Sequence, residues 1–241
     1  MTMKYYLFLS LFLFTNLLSF STHAELPNSF SAIYYLHYDD LKIGVMERRL
    51  THNKDGTGVF ESNGNLTGLA ALFRKDKITE SSRWETYDGQ LRPVAYRYKR
   101  TGGDKEKVEQ HHFDWNSNKV SSTTKEGKSE QAIKAGLLDK LLYQLAMMEV
   151  KDPEVGLTYD LIDGINLKNY QFKFEGEETL STPMGKLKTL KFLRTRSTDD
   201  NSKRSTVLWC APSLHYLPVR VDNVDRKGHL TSIVIKKVSG L

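Results

Sequence analysis

Hydrophobic and polar residues alternate along most of the chain with a period of two. The alternation is clear in FSAIYYLHY (30–38), LKIGVMERRL (41–50), VAYRYKR (94–100), YQFKFE (170–175) and LTSIVIKK (230–237). Successive side chains of a strand point to opposite faces of its sheet. The pattern therefore predicts antiparallel strands that bury one face and expose the other.

Turn-forming residues separate the alternating segments. Asp-Gly pairs stand at 55–56, 88–89 and 163–164, a Gly-Gly pair at 102–103, and Pro-Met-Gly at 183–185. An Asp-Gly pair between two alternating segments is typical of a two-residue hairpin. Together the segments and turns predict a meander of long hairpins.

One segment has a helical period instead. In GLLDKLLYQLAMME (136–149), leucines recur three and four residues apart among residues that favour helices. We predict an amphipathic helix over about 136–149, ended by the following Asp-Pro pair at 152–153. GLAALF (68–73) predicts a short helical turn, and the polar stretch 116–131 predicts a flexible approach to the long helix.

These elements predict a mainly β fold. We expect a strongly curved antiparallel sheet or an incomplete barrel, with the helix packed on its concave side. A flat sheet of this size would expose long edges, so it must curl or be covered. Because strands lie on both sides of the helix, one β-rich domain over 25–241 is simpler than two domains.

The N-terminus has the parts of a secretory signal peptide. Lys4 precedes an apolar run over 5–18, and small residues follow, with Thr22 and Ala24 at the positions of a cleavage site. We therefore predict a cleaved signal peptide over 1–24. The run is shorter than the roughly 20 residues of a membrane anchor. No cysteine stands at its end and no second apolar run of membrane length follows. We thus expect an exported periplasmic protein that is not a lipoprotein and has no membrane span after cleavage.

Charge changes this picture only slightly. The chain has 35 Lys and Arg against 29 Asp and Glu, a formal net charge of +6, and the predicted signal peptide holds one of those lysines. The surplus could favour anionic lipid headgroups or acidic envelope polymers, or belong to an ordinary solvated surface. Since no basic arm is clustered, we expect no nucleic-acid partner. The single cysteine allows no internal disulfide.

No strong catalytic signature is present. The sequence has no G-x-S-x-G, H-E-x-x-H, C-x-x-C or phosphate-binding G-x-x-x-x-G-K-S/T motif. We therefore assign no catalytic residue, no metal ligand and no cofactor. His111 and His112 are adjacent, so on a strand they face opposite sides; we expect one outward and one packed against Phe113 or Trp115. EGEE (175–178) predicts a solvated hairpin end.

Cys210 and His215 are the sharpest candidates for chemistry. A thiolate nucleophile needs a lowered pKa and a base within reach. STVLW (205–209) and YLPVRV (216–221) are predicted strands, so the two side chains could approach each other across the hairpin between them. Alternatively, Cys210 packs beside Trp209 as a small buried hydrophobe.

Five aromatic residues fall on neighbouring predicted strands: Trp84, Tyr96, Tyr98, Phe113 and Trp115. A curved sheet can present such residues to an apolar ligand from its concave face. The same residues would equally form the core beneath the helix.

Seven segments in order carry a resemblance to a known family. They are LPNSFSAIYYLHYDDLKIG, GLAALF, LRPVAYRYKRTGGDK, FDW, GLLDKLLYQLA, GEETLSTPMGKLKTLKF and LWCAPSLHYLPVRV. With them the chain resembles a bacterial family of exported proteins known as domain of unknown function 3108. The resemblance implies a Gram-negative periplasmic protein and brings no activity or site residues. The last segment is also similar to the periplasmic lipoprotein-carrier proteins, which implies an incomplete barrel around an apolar cavity closed by helices.

We expect from these observations a non-enzymatic binding or envelope-maintenance protein with a lipid-like, apolar or amphipathic ligand. Two alternatives stay open. The first is a scaffold that pairs with an envelope protein through a sheet edge. The second is a thiol-dependent or hydrolytic enzyme that uses Cys210 and His215.

Overall fold

Strands dominate the computed structural model of the chain. It describes residues 26–73, 75–103, 106–150, 152–195 and 204–241. The predicted signal peptide (1–24) lies outside the described residues. Within these ranges the chain forms fifteen strands, two short α-helices and two 3-10 turns.

The strands are β1 (Phe30–Tyr38), β2 (Leu41–His52), β3 (Thr57–Leu66), β4 (Lys77–Tyr87), β5 (Gln90–Thr101), β6 (Lys107–Asp114), β7 (Lys119–Thr124), β8 (Gly127–Ala132), β9 (Leu138–Asp139), β10 (Leu157–Asp163), β11 (Asn166–Thr182), β12 (Gly185–Arg194), β13 (Ser205–Ala211), β14 (Leu217–Val224) and β15 (Leu230–Ser239). The helices are α1 (Leu69–Phe73) and α2 (Leu142–Ala146), and the 3-10 turns span Met147–Glu149 and Pro212–Leu214.

All fifteen strands belong to one sheet, which is not closed into a barrel. Its order is β8-β7-β6-β5-β4-β3-β2-β1-β15-β14-β13-β12-β11-β10-β9, so neighbours are consecutive in sequence except where β1 meets β15. Every neighbouring pair is antiparallel except β9 and β10. Asp88 and Gly89 link β4 to β5 with positive φ angles of 50° and 69°, as a two-residue hairpin turn requires. The predicted meander of hairpins is confirmed.

The sheet curls, so that one face of most strands enters a common core. Burial alternates along the strands: in β6, Glu109, His111 and Phe113 are buried and the residues between them are exposed. Close packing fixes the register between neighbours. Trp84 lies over Gly58, where an added Cβ would come within 2.3 Å of the indole ring. A larger residue than glycine at that position would displace the ring from the core.

The helix in the second half of the chain is shorter than predicted. Helix α2 and its 3-10 turn cover 142–149 instead of 136–149, and the residues before them form β9 beside β10. The reason is Asp139, whose Oδ1 accepts hydrogen bonds from the N–H groups of Leu141 and Leu142 at the start of the helix. The leucine spacing continues through both parts because both bury their leucines.

The two other local predictions have opposite outcomes. The helical turn predicted over 68–73 is confirmed as α1. The prediction of a flexible approach over 116–131 is wrong, because this stretch forms β7 and β8 at the edge of the sheet. Inward positions of β7 hold the small polar residues Ser122 and Thr124, which hide the hydrophobic alternation.

Residues 137–149, called the interior segment below, fill the concave side of the sheet. Leu141, Leu142 and Leu145 have no exposed surface. The interior segment touches β5, and its Asp139 and Lys140 side chains reach β4 and β6. The predicted packing of a helix against a strongly curved sheet is confirmed. The space inside the curl is therefore occupied by the chain itself.

Candidate functional site

The structure places Cys210 and His215 in different environments. Cys210 lies in β13 with 1 % of its surface exposed, and burial raises the pKa of its thiol to about 12. His215 is exposed at the end of a 3-10 turn, in a left-handed backbone conformation. A protonated and buried thiol is neither nucleophilic nor accessible. The hairpin thus gives a thiol enzyme no support, and Cys210 packs as a small hydrophobe.

The adjacent histidines divide between the two faces of β6, as predicted. His111 is buried, stacks on Tyr96 with 5.3 Å between ring centroids and meets Phe113 edge-on at 6.4 Å. His112 is exposed on the outer face. The pair therefore offers no shared ligand position.

The prediction of a solvated hairpin end at 175–178 is wrong. These residues lie inside the long strand β11, and the hairpin ends later, after Thr182. A β-bulge at Gly176, with φ of 108°, interrupts the alternation there and explains the misleading pattern. Glu178 accepts a hydrogen bond from Trp209 Nε1 at 2.9 Å, so this carboxylate supports the neighbouring strands.

The five aromatic residues singled out from the sequence belong to the core. Trp84, Tyr96 and Phe113 are buried, and Tyr98 and Trp115 are partly buried against them. Phe113 and Trp115 stack with 6.3 Å between ring centroids, and Lys140 of the interior segment lies over the rings of Tyr96 and Tyr98. None of the five is presented to an open concave surface.

A group of polar side chains also lies inside the curl, and we call it the interior polar cluster. Its members come from β4 to β7 and from the interior segment: Glu80, Ser82, Tyr96, Glu109, His111, Ser122, Asp139 and Lys140. Each has a hydrogen-bond partner within the cluster, as burial of polar groups demands.

Glu109 is the centre of this cluster. It accepts hydrogen bonds from His111 Nε2 at 3.0 Å, Lys140 Nζ at 2.9 Å and the N–H of Gly164 at 2.9 Å. Burial alone would raise the pKa of Glu109, but these donors and the charge of Lys140 together hold it well below its usual range. Lys140 also lies 3.0 Å from Asp163 Oδ1. One ammonium group therefore joins β6, the interior segment and β10.

Asp139 and Glu80 have the opposite shift. Burial raises the pKa of Asp139 to about 6, although Ser82 Oγ donates to it at 2.5 Å. Burial also raises the pKa of Glu80, which accepts a hydrogen bond from Tyr96 at 2.6 Å. Each of these groups is hydrogen-bonded within the cluster, and the bonds of Asp139 and Lys140 tie the interior segment to β4 and β6. The cluster therefore presents no free group to a substrate.

Sequence reasoning missed the cluster, although a signal for part of it exists. Glu109 shares the alternation phase of His111 and Phe113, so its burial follows once that phase is assigned inward. Asp139 and Lys140 stand out as charges within a leucine-rich segment. Their partners on β4 and β6 are distant in sequence, and no local pattern indicates them.

A second feature is a set of exposed apolar side chains at one end of the sheet, which we call the apolar rim. It consists of Tyr38, Leu41, Leu69, Leu72 and Ile78. The β1–β2 hairpin and the connection between β3 and β4 meet there, because Leu66 pairs with Gly44 and the N–H of Thr67 donates to the carbonyl of Ile43. The rim therefore combines side chains from two neighbouring connections.

Helix α1 contributes the most exposed part of the rim. Leu69 and Leu72 are 76 % and 75 % exposed, and Leu41 is 71 % exposed. Residues three apart lie on the same face of a helical turn, so the two α1 leucines point the same way. Lys75 and Lys77 are exposed directly after α1. The rim is thus an apolar surface with basic residues beside it.

The chain matches the family model described as a protein of unknown function, DUF3108, over residues 32–234. The chain belongs to the DUF3108 family. The resemblance inferred from its segments is thereby confirmed. No curated protein matches the chain.

Solved structures extend the comparison to the fold. A beta-barrel-like protein of the family DUF1849 from Brucella abortus aligns with a TM-score of 0.53 and 8 % identity, over 88 % of this chain and 98 % of that chain. A protein from Parabacteroides distasonis ATCC 8503, provisionally assigned as a lipoprotein, aligns with a TM-score of 0.35 and 11 % identity. The alignment covers 89 % of this chain and 96 % of that chain. The first likeness shows the fold alone, a barrel-like sheet, in agreement with the predicted incomplete barrel.

Two further properties of the DUF3108 chain concern metals and membranes. Among the residues that the structure describes, no three His, Cys, Asp or Glu side chains are grouped so as to hold a metal ion. No helix in the described ranges has the length and hydropathy to cross a bilayer.

Proposed function

We propose that this DUF3108 protein is a non-catalytic binding protein of the cell envelope that attaches to a lipid surface through the apolar rim. The observation that carries the proposal is the exposure of Leu69 and Leu72 on one face of α1. Exposed leucines scattered singly need no explanation, whereas neighbouring ones at one end of a domain are typical of interaction and membrane surfaces. Leu41 and Ile78 extend this surface across the adjoining strands.

Charge favours an anionic lipid surface as the occupant. Lys42, Lys75 and Lys77 are exposed around the rim. Of the carboxylates there, Asp76 is paired with Arg100 at 2.7 Å, Asp39 lies 3.3 Å from His229 Nδ1, and Asp40 is exposed, so the lysines are in excess. Apolar side chains enter the boundary between headgroups and acyl chains, while lysines remain among the headgroups. This division matches an amphipathic ligand, the class expected from the sequence.

The size of the surface indicates reversible attachment. Burying a leucine contributes about 1.5–3 kcal/mol, so Leu69 and Leu72 together contribute about 4 kcal/mol. A lysine near an anionic membrane contributes about 1 kcal/mol more. With three lysines the sum approaches about 7 kcal/mol, which corresponds to a dissociation constant of roughly 10 micromolar.

The interior of the curl is a weaker candidate for the ligand. The interior segment occupies it, and α2 has no exposed leucine there. A carrier of the kind implied by the likeness to the lipoprotein-carrier proteins would have to expel this segment first. The sheet edges also offer little to a partner protein: β9 is a buried pair of residues, and β8 is six residues long with Lys128 and Glu130 exposed. Short, charged edges oppose strand pairing.

Sedimentation with lipid vesicles tests the proposal. The purified protein should bind vesicles that contain phosphatidylglycerol and bind much less to pure phosphatidylcholine vesicles. The double variant Leu69→Ser/Leu72→Ser should bind the anionic vesicles at least tenfold more weakly, because it loses most of the apolar contribution.

A matched control distinguishes binding through the rim from nonspecific hydrophobic binding to vesicles. Val155 is 81 % exposed in the loop before β10, far from α1 in the strand order. Val155→Ser should bind like the wild type. Equal binding by the wild type and the rim double variant would show the proposal to be wrong.

A further inference from the structure

The outer face of β4 to β7 contains a groove that is separate from the apolar rim and from the interior. Its volume is about 460 Å³. Its outward-facing side chains are Ser81, Arg83, Ala95, Arg97, Gln110, His112, Ser121 and Thr123. Small residues form the floor, and the two arginines, the glutamine and the histidine form the walls.

Strand register brings the basic side chains around Ala95. Arg83 of β4 stands directly opposite Ala95 on one side, and His112 of β6 stands directly opposite it on the other. Arg97 follows two residues later on the same face of β5, opposite Ser81 and Gln110. Side chains directly opposite each other have Cβ atoms about 5 Å apart. The long side chains of both arginines can therefore contact the same chemical group of a ligand that lies above the methyl group of Ala95.

The two arginines keep their hydrogen-bonding capacity. In the described part of the chain, no ion pair or side-chain hydrogen bond engages Arg83 or Arg97. Other arginines of the sheet are paired with a carboxylate, namely Arg49, Arg92, Arg100 and Arg220. The carboxylates beside the groove are Glu61, opposite Ser81, and three that already have partners. Lys119 pairs with Glu130 at 2.6 Å, Arg92 pairs with Glu85, and Asp114 accepts hydrogen bonds from the N–H groups of the turn after β6. The groove is thus a concentration of unpaired positive charge.

We infer that this groove binds the phosphate group of a phosphate ester. Arginine presents a planar fork of N–H donors that matches phosphate oxygens, and such charge-assisted bonds are about twice as strong as neutral ones. The hydroxyl groups of Ser81, Ser121 and Thr123 and the amide of Gln110 add donors around the floor. The inference goes beyond attachment at the rim, because it uses a different face of the sheet.

Titration calorimetry with two probes tests the site. Glycerol 3-phosphate presents the phosphate ester in solution, and dihexanoyl phosphatidic acid presents it on a short lipid. Binding of both with similar affinity assigns the site to soluble phosphate esters, and clearly tighter binding of phosphatidic acid assigns it to lipid headgroups. Absence of binding by both probes would overturn the inference.

Variants distinguish binding in the groove from nonspecific electrostatic attraction of an anion to a basic protein. Arg83→Gln/Arg97→Gln should weaken binding at least tenfold. Ala95→Leu should weaken it similarly without changing any charge, because the larger side chain fills the floor. Arg226→Gln, an exposed arginine in the β14–β15 turn, should bind like the wild type. If Ala95→Leu keeps full affinity, or if Arg226→Gln loses as much as the double variant, the groove is not the site. Rim variants should leave binding of glycerol 3-phosphate unchanged, so the two proposals can fail separately.

Discussion

Replacing Asp139 with asparagine probes how the interior segment is held inside the sheet. Asp139 is fully buried, accepts a hydrogen bond from Ser82 and accepts two more from the N–H groups of Leu141 and Leu142. Asparagine has the same shape: its carbonyl oxygen can accept both N–H bonds, and its amide can donate to the serine hydroxyl. Asp139→Asn therefore removes the titration of the carboxyl group and keeps its contacts.

The raised pKa gives the sign and the size of the effect. Burial raises the pKa of Asp139 to about 6 from an ordinary value of 3.8. Because the folded state holds the proton more tightly, the stabilisation is fully present below pH 3.8 and is lost as pH rises through 6. The shift of about 2 units corresponds to about 3 kcal/mol. Roughly 2 kcal/mol of this loss falls between pH 4.5 and pH 8.

Urea unfolding followed by tryptophan fluorescence measures the free energy of unfolding of both proteins at these two pH values. We expect Asp139→Asn to gain roughly 2 kcal/mol on the wild type between pH 4.5 and pH 8. Asp160→Asn removes a carboxylate that is exposed on β10. Its free energy of unfolding should change between the two pH values as that of the wild type does. A difference between Asp139→Asn and the wild type that is the same at both pH values would refute the reasoning.

Three further predictions concern the core. In the folded protein, Cys210 should resist iodoacetamide and react once denaturant is added, because the thiol is buried with a pKa near 12; mass spectrometry detects the adduct. Leu145→Ala should lower the free energy of unfolding by about 2–5 kcal/mol, and Leu167→Ala, at an exposed site of β11, by less than about 0.5 kcal/mol, both measured in urea. Lys140→Met should cost at least about 2 kcal/mol at pH 7, because it removes the ammonium group that pairs with both Glu109 and Asp163; an unchanged urea midpoint would contradict this role.

Strands with one apolar face could be predicted closely from sequence. The alternation in FSAIYYLHY matches β1, Phe30–Tyr38, residue for residue. The Asp-Gly pair at 88–89 marks the turn between β4 and β5. In both places the burial of each side chain depends on local alternation and turn chemistry, which a single sequence displays.

The remaining elements depend on contacts that a local pattern does not contain. The inward positions of strand β7 are Val120, Ser122 and Thr124. Ser122 and Thr124 are polar because they face the interior polar cluster. The first turn predicted for the long helix is lost because Asp139 bonds to Ser82, 57 residues earlier in the chain. Such pairs appear only when the sheet has curled far enough to bring its two halves together.

The anchoring of the interior segment bears on where a ligand can bind. Opening the curl would separate Lys140 from Glu109 and Asp163, and Asp139 from Ser82. If a ligand kept Glu109 buried after Lys140 had left, the unpaired carboxylate would cost about 3–5 kcal/mol, and expelling the leucines of α2 would cost about 2 kcal/mol or more for each one exposed. An apolar ligand that fills the same space would regain the second contribution but not the first, since it has no charge to offer. Attachment at the rim exposes nothing that is now buried. The balance of these energies therefore favours the rim over the interior as the site for the proposed amphipathic ligand.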